Sequence, residues 1–336
     1  LIHAADLHLD SPFASFGEAQ RELLQRAQRE LPERLARCVQ SQVAQTLLLA
    51  GDIFDGPYCR ETARALADCL EDTGVPVFIA PGNHDHLGPD SPWDRENWPE
   101  NVYIFRGALR YVDIEALSLR VYGGGYSAMD CPGLLEGFQA EGEQKYSVGL
   151  LHGDPTQARS PYCPVTASQV ERSGLQYLAL GHVHQGGSFQ AGETLCAWPG
   201  CPMGRGWDET GTKGVLKAEL GEKVRLADAD PIGIAPVFHR GCGYLRRLGR
   251  SPEGGAPGLS DPGLLPGDPD GQRGCGLGDH PEDLCIYSES GIPGPDPAPG
   301  GSLVLGGRRQ LPGDLFRPAE SQAGANAGGP GGCVPG

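Results

Sequence analysis

The sequence predicts an α/β fold, and two observations carry that prediction. Five short apolar runs, at residues 1–5, 46–50, 75–80, 146–151 and 177–180, are bounded by polar, Gly or Pro residues and lack a 3.6-residue spacing. Runs of that length read as buried strands rather than helices. Each run also leads into a polar block: Asp6-Leu7-His8, Gly51-Asp52-Ile53-Phe54-Asp55, Gly82-Asn83-His84-Asp85, His152-Gly153-Asp154 and Gly181-His182-Val183-His184. Polar residues placed just beyond the C-terminal ends of successive buried strands build a site along one edge of an α/β sheet. All five blocks are therefore expected to meet in space.

The segments between the blocks fit this plan. Residues 18–45 place Leu23, Leu24, Leu31, Leu35 and Val39 among alternating Glu and Arg, the pattern of one amphipathic helix or, given Pro32, of two. Arg21, Arg26, Arg29, Arg34 and Arg37 on this segment are expected to form Glu/Arg pairs on a solvated face rather than to touch phosphates. Residues 61–72 read as a crossover helix. Residues 90–100 read as a loop near the mouth of the site, where Trp93 and Trp98 either plug the loop onto the domain or stack on a nucleic-acid base.

The residue types of the blocks point to metal chemistry. Divalent cations such as Mn²⁺, Fe²⁺ or Zn²⁺ take mixed imidazole and carboxylate ligands, and two of them roughly 3.5–4 Å apart need a bridging carboxylate. Asp52 is the natural bridge. The blocks differ in weight. Asp-x-His alone occurs in many proteins as a polar strand end, whereas Gly-Asn-His-Asp after a strand, followed downstream by Gly-His-x-His, is a specific combination. His3, His86 and His239 read as ordinary strand or loop histidines.

The ordered set of blocks resembles the calcineurin-like metallophosphoesterases. Within that superfamily, Ala5-Asp6-Leu7-His8-Leu9-Asp10-Ser11-Pro12-Phe13 and the late segment at residues 198–209 resemble the bacterial DNA repair exonucleases of the SbcD and YhaO type. The resemblance runs to about residue 230. It implies a four-layer α-β-β-α sandwich with two divalent metal ions, Mn²⁺ being the expected pair and Fe²⁺ or Zn²⁺ the alternatives. One metal would be held by Asp6, His8, Asp52 and His184, the other by Asp52, Asn83, His152 and His182. A hydroxide between the metals would attack phosphorus while they neutralise developing charge. His84 stays unligated and would stabilise the transition state or protonate the leaving oxygen, oriented by either Asp85 or Asp55. The expected activity is that of a DNA repair exonuclease, with DNA and an ATPase partner subunit as partners and a homodimer as an allowed assembly. The alternatives are a metallophosphatase or phosphodiesterase acting on nucleotides or phosphoproteins, and a non-catalytic nuclease-like scaffold.

Composition bounds these expectations. The net charge of −16 withholds the basic footprint usual for nucleic-acid binding, although metal-site carboxylates inflate that figure. Eleven cysteines form no Cys-x-x-Cys, so they read as small buried hydrophobes of a reduced cytosol rather than zinc ligands or disulfides. No apolar run approaches the ~18 residues of a membrane span, and no secretory signal is visible. The expected compartment is therefore the cytoplasm. Because the chain begins with Leu1 and its first block at Asp6, the start of the first strand is expected to lie upstream. Residues 1–232 read as the catalytic domain. Residues 233–336 are dominated by Gly and Pro, a composition that cannot bury enough apolar surface to offset ordering entropy. This tail is either a native disordered extension or the frameshifted remnant of an accessory domain.

Overall fold

The computed structural model describes residues 1–206, 208–209 and 213–227, together with the backbone of a short antiparallel pair, Val237–Phe238 with Ile286–Tyr287. The expectations for the Gly/Pro-rich tail and for His239 otherwise lie outside the described residues.

The strands are β1 (Ile2–Ala4), β2 (Leu47–Leu49), β3 (Val77–Ile79), β4 (Val102–Ile104), β5 (Arg110–Ile114), β6 (Leu119–Gly123), β7 (Tyr146–His152), β8 (Tyr177–Gly181), β9 (Gln185–Ala191), β10 (Thr194–Gly200), β11 (Leu216–Glu219) and β12 (Arg225–Leu226). They form two six-stranded sheets, ordered β12-β11-β1-β2-β3-β4 and β5-β6-β7-β8-β10-β9. Strands β1 to β4 are mutually parallel, as are β6, β7, β8 and β10, while β11, β12, β5 and β9 each pair antiparallel with their neighbours. The five motif-bearing strands are thus divided between the sheets, β1, β2 and β3 in one and β7 and β8 in the other. The expectation of a site along the edge of a single sheet is corrected here: two such edges meet. Short apolar runs of one sheet look like those of another, so the partition is not written in them.

The helices are α1 (Glu18–Arg29), α2 (Leu31–Ser41), α3 (Arg60–Asp72), α4 (Pro92–Arg95) and α5 (Ala167–Arg172). Residues 18–45 form two helices rather than one. The break falls at Glu30, and Pro32 sits in the first turn of α2, where its missing N–H costs nothing. Arg34 pairs with Glu30 at 2.7 Å and Arg37 with Glu33 at 3.5 Å, both at i,i+4 spacing.

Period-two alternation assigns the layers. Ile2, Ala4, Leu47, Leu49, Val77 and Ile79 pack against Leu24, Leu31, Leu35, Val39, Leu66 and Leu70 of the helices. The intervening Leu48 and Phe78 face the second sheet, meeting Val121, Val148, Leu150, Tyr177 and Ala179. The far side of that sheet, with Leu151, Leu178 and Leu180, is covered by Val165, Val170 and Leu175. His3 alternates into the middle layer. One ring nitrogen lies 2.9 Å from the Tyr177 hydroxyl and the other 3.0 Å from the Leu180 carbonyl, and burial pushes its pKa down to about 3. It is a buried structural histidine.

Residues 90–100 are not wholly loop, since Pro92 and its neighbours make the single turn of α4. Trp93 is 2% exposed; its indole N–H donates to the Asp85 carbonyl at 2.5 Å and its ring meets Phe54 and Trp98. It plugs the loop onto the domain and is not available to stack on a base.

Candidate metal centre and active site

The loops that follow β1 and β2 stay paired beyond the sheet. The Asp6 N–H donates to Gly51 O and the His8 N–H to Asp52 O, both at 3.0 Å. This ladder carries Asp6, His8 and Asp52 side by side out of the sheet edge. Asp6, His8, Asp52 and His182 have φ of 54°, 46°, 50° and 92°. Non-glycine residues in this region are strained, and such strain clusters at functional sites. Gly82 allows the next loop to close on them: a Cβ there would lie 2.2 Å from Asp52 Oδ1 and 2.6 Å from the Asp52 backbone nitrogen.

Two adjacent points gather imidazole nitrogens with carboxylate and amide oxygens. At the first, His8 Nε2 and His184 Nε2 face each other at 3.2 Å, with Asp52 Oδ2 3.8 Å from the former and Asp6 Oδ1 3.7 Å from the latter. His184 Nδ1 lies 2.5 Å from Glu209 Oε1, a pure acceptor, so Nδ1 carries the proton and Nε2 presents a lone pair. His8 Nδ1, 3.5 Å from Asp55 Oδ1, is buried without a well-aligned hydrogen bond. At the second point, His152 Nδ1 donates to Ala50 O at 2.8 Å, which leaves Nε2 facing Asn83 Oδ1 at 3.1 Å and Asp52 Oδ2 at 3.3 Å. Imidazole nitrogens and carboxylate oxygens crowded together in a buried site favour positive charge between them. The donor set therefore fits two cations sharing Asp52, and the mixed imidazole and oxygen ligands suit a borderline divalent metal.

The electrostatics agree. Burial holds His8 and His182 below the ordinary histidine range, which keeps them unprotonated as metal ligation requires. Burial acts the same way on His152, yet the Asp52 carboxylate outweighs it and raises that histidine to about 9. Positive charge is demanded at that point. For Asp52, burial is overcome by His152 and His8, and the carboxyl sits below its usual range.

The ligand atoms of Asp6, His8 and His184 lie within 4.8 Å of one another, as do those of Asp6, Asp52 and His152. Asn83 joins the second group through Oδ1. The ring of His182 stands beside them: its centroid is 5.2 Å from that of His152 and 4.8 Å from that of Tyr162, and its backbone N–H donates to Asp6 at 3.1 Å. Every ligand predicted from the sequence is thus brought to one place.

His84 differs from these residues in exposure. Its side chain is 38% accessible, while those of His8 and His152 are fully buried. Its Nδ1 lies 2.9 Å from Asp55 Oδ1, and that contact raises its pKa above the ordinary histidine value. Of the two carboxylates considered as its orienting group, Asp55 makes the contact. Asp85 does not, because its oxygens accept the backbone N–H groups of Gly82 at 2.7 Å, Ile53 at 2.7 Å and Phe54 at 3.3 Å. It stitches two motif loops together, and burial and the nearby Asp52 push it up to about 7. His86, bonded to Asn83 O, is an ordinary loop histidine.

Three participants had no role assigned from sequence, although all lie in segments that carried the family resemblance. Ser11 donates to Asp55 Oδ2 at 2.7 Å, Arg205 reaches the same oxygen at 3.4 Å, and Glu209 holds His184. Cys201, within reach of Glu209, is held as a neutral thiol by burial, which pushes it up to about 12. The seven described cysteines are all free.

Residues 1–186 match the calcineurin-like phosphoesterase family. The chain is 32% identical over 235 residues to the uncharacterized metallophosphoesterase YhaO of Bacillus subtilis (strain 168), covering 63% of this chain and 55% of that protein. It therefore spans about half the length of this relative. Solved structures similar to it include a dimetal phosphatase from Danio rerio, at 14% identity and a TM-score of 0.42 over 67% of this chain and 94% of that one. Another is TT1561 of Thermus thermophilus, at 12% identity and a TM-score of 0.40 over 60% and 88%. With a family match over more than half its length and the family's ligand types gathered at two sheet edges, this chain belongs to the calcineurin-like phosphoesterases.

Proposed function

We propose that this chain is a two-metal phosphodiester hydrolase acting on DNA, a nuclease subunit that works with Mn²⁺ in the cytoplasm alongside an ATPase partner. The observation that carries the hydrolase reading is the convergence of imidazole nitrogens and carboxylate oxygens on two neighbouring points sharing Asp52, with His84 open to solvent beside them. When bound, the metals supply charge neutralisation and a water activated at neutral pH. Asp52, Asp6, His8, His184, Asn83, His152 and His182 would hold them. Asp55 fixes His84 through Nδ1, which turns Nε2 outward to stabilise charge or deliver a proton at the leaving oxygen.

DNA as substrate is supported by the exonuclease-like segments at residues 9–13 and 198–209, which reach Asp55 through Ser11 and Arg205 and His184 through Glu209. A second reading, hydrolysis of a small nucleotide or phosphoprotein ester, is favoured by the net charge of −16, which disfavours a long polyanion overall. No helix among the described residues is long and apolar enough to cross a membrane.

The test offers purified, Mn²⁺-loaded chain labelled duplex DNA, single-stranded DNA, a chromogenic phosphodiester and a phosphomonoester, with His84→Ala as control. DNA cleavage lost in that variant at unchanged metal content is the expected result. Preference for the monoester over every diester would overturn the proposal. No hydrolysis by the fully metallated protein would leave a scaffold.

A further inference from the structure

The two metal points are held by different means. At one, the His152 ring is fixed through Nδ1 by the backbone carbonyl of Ala50, which no side-chain substitution removes. At the other, side-chain carboxylates stand behind the imidazoles: Glu209 bonds His184 Nδ1 at 2.5 Å, and Asp55 lies 3.5 Å from His8 Nδ1.

Those two carboxylates are joined by one residue. Arg205 Nη1 lies 3.4 Å from Asp55 Oδ2 and Nη2 lies 3.5 Å from Glu209 Oε1, while its backbone N–H donates to Glu209 Oε2 at 2.7 Å. Nη2 also comes within 3.3 Å of His184 Nδ1. Both of those nitrogens are donors once Glu209 has set the tautomer, so the shorter Glu209 contact governs the ring. The side chains of Arg205 and Glu209 are 21% and 11% exposed, shielded enough for their charges to act on each other.

We infer that Arg205 and Glu209 are positioning residues that form a clamp on one metal point, that of His8 and His184, and leave the other to the backbone. Glu209 orients the His184 ring so that Nε2, not Nδ1, faces the ligand set. Arg205 holds Glu209 and Asp55 at a fixed separation, and through them His184 and His8. Partners of this kind behind metal-bound histidines typically contribute 10–100-fold in metal affinity. The inference rests on the two-metal reading of the site.

Metal binding by the full-length chain tests it, read as Mn²⁺ bound per chain and as the low-temperature electron paramagnetic resonance spectrum, with Glu209→Ala, Glu209→Gln and Arg205→Met. The wild type is expected to bind two ions with a spin-coupled spectrum. Glu209→Ala and Arg205→Met are expected to keep one ion at wild-type affinity, lose the other by about 10–100-fold, and show an uncoupled signal. Glu209→Gln, which still offers Nδ1–H an acceptor, should recover part of the loss. Wild-type affinity for both ions in Glu209→Ala and Arg205→Met would overturn the clamp, and so would equal weakening of both ions, which marks a merely structural role. A wild type that binds fewer than two ions would instead refute the two-metal reading beneath it.

Discussion

His3 gives a prediction that can be worked through in numbers. Its ring lies between the two sheets, where the Leu180 carbonyl can only accept, so Nε2 carries the proton and Nδ1 takes the Tyr177 hydroxyl. Burial pushes its folded pKa down to about 3, against an unfolded value near 6.5. Because the unfolded chain binds the proton more readily, the stabilisation is fully present above pH 6.5 and drains away as pH falls towards 3. The whole window is worth about 5 kcal/mol at 1.36 kcal/mol per pKa unit, and the step from pH 7 to pH 5 about 2 kcal/mol. Other groups titrate over the same range, so the informative quantity is a difference. Urea unfolding of wild type and His3→Gln at both pH values isolates it, since the amide keeps a polar group in place without titrating. The wild type should lose about 2 kcal/mol more than the variant between pH 7 and pH 5. Parallel losses in the two proteins would refute the placement of a neutral histidine between the sheets.

The remaining predictions concern the site and the core. Asp55→Asn removes the carboxylate that raises the His84 pKa, so if His84 acts protonated, the alkaline limb of the pH–rate profile moves to lower pH; an unmoved limb would remove Asp55 from that role. Gly82→Ala places a methyl group against Asp52, and thermal unfolding should report about 1–3 kcal/mol of strain together with weakened Mn²⁺ binding in titration. Leu48→Ala, which empties a position buried between the two sheets, should cost about 2–5 kcal/mol in urea unfolding, while a cost near zero would place that residue elsewhere.

The sequence made some parts of this architecture plain and hid others for physical reasons. Strands β1, β2, β3, β7 and β8 are legible because they are largely buried on both faces and read as mostly apolar runs. Strand β9, Gln185–Ala191, is largely exposed and rich in Gly and Gln, so nothing in its composition separates it from a loop. The residues proposed as ligands stand out in the sequence because each ends or closely follows a strand. The choice of Asp55 over Asp85 was not, since both stand near His84 in sequence or motif and only the closed loops show which carboxylate the backbone N–H groups consume. Arg205 was beyond local pattern altogether: it meets Asp55 across 150 residues of chain, and a lone arginine in a Gly-rich segment carries no periodic signal.

Two divalent cations sharing Asp52 and serving hydrolysis are the core of the proposed function. Metal analysis of protein stripped with chelator and reloaded with Mn²⁺, paired with hydrolysis of a chromogenic phosphodiester at each loading, tests it most directly. Two ions per chain are expected, with activity absent from the stripped protein and restored as they bind. One ion or none at saturation, or full activity in the stripped protein, would contradict it.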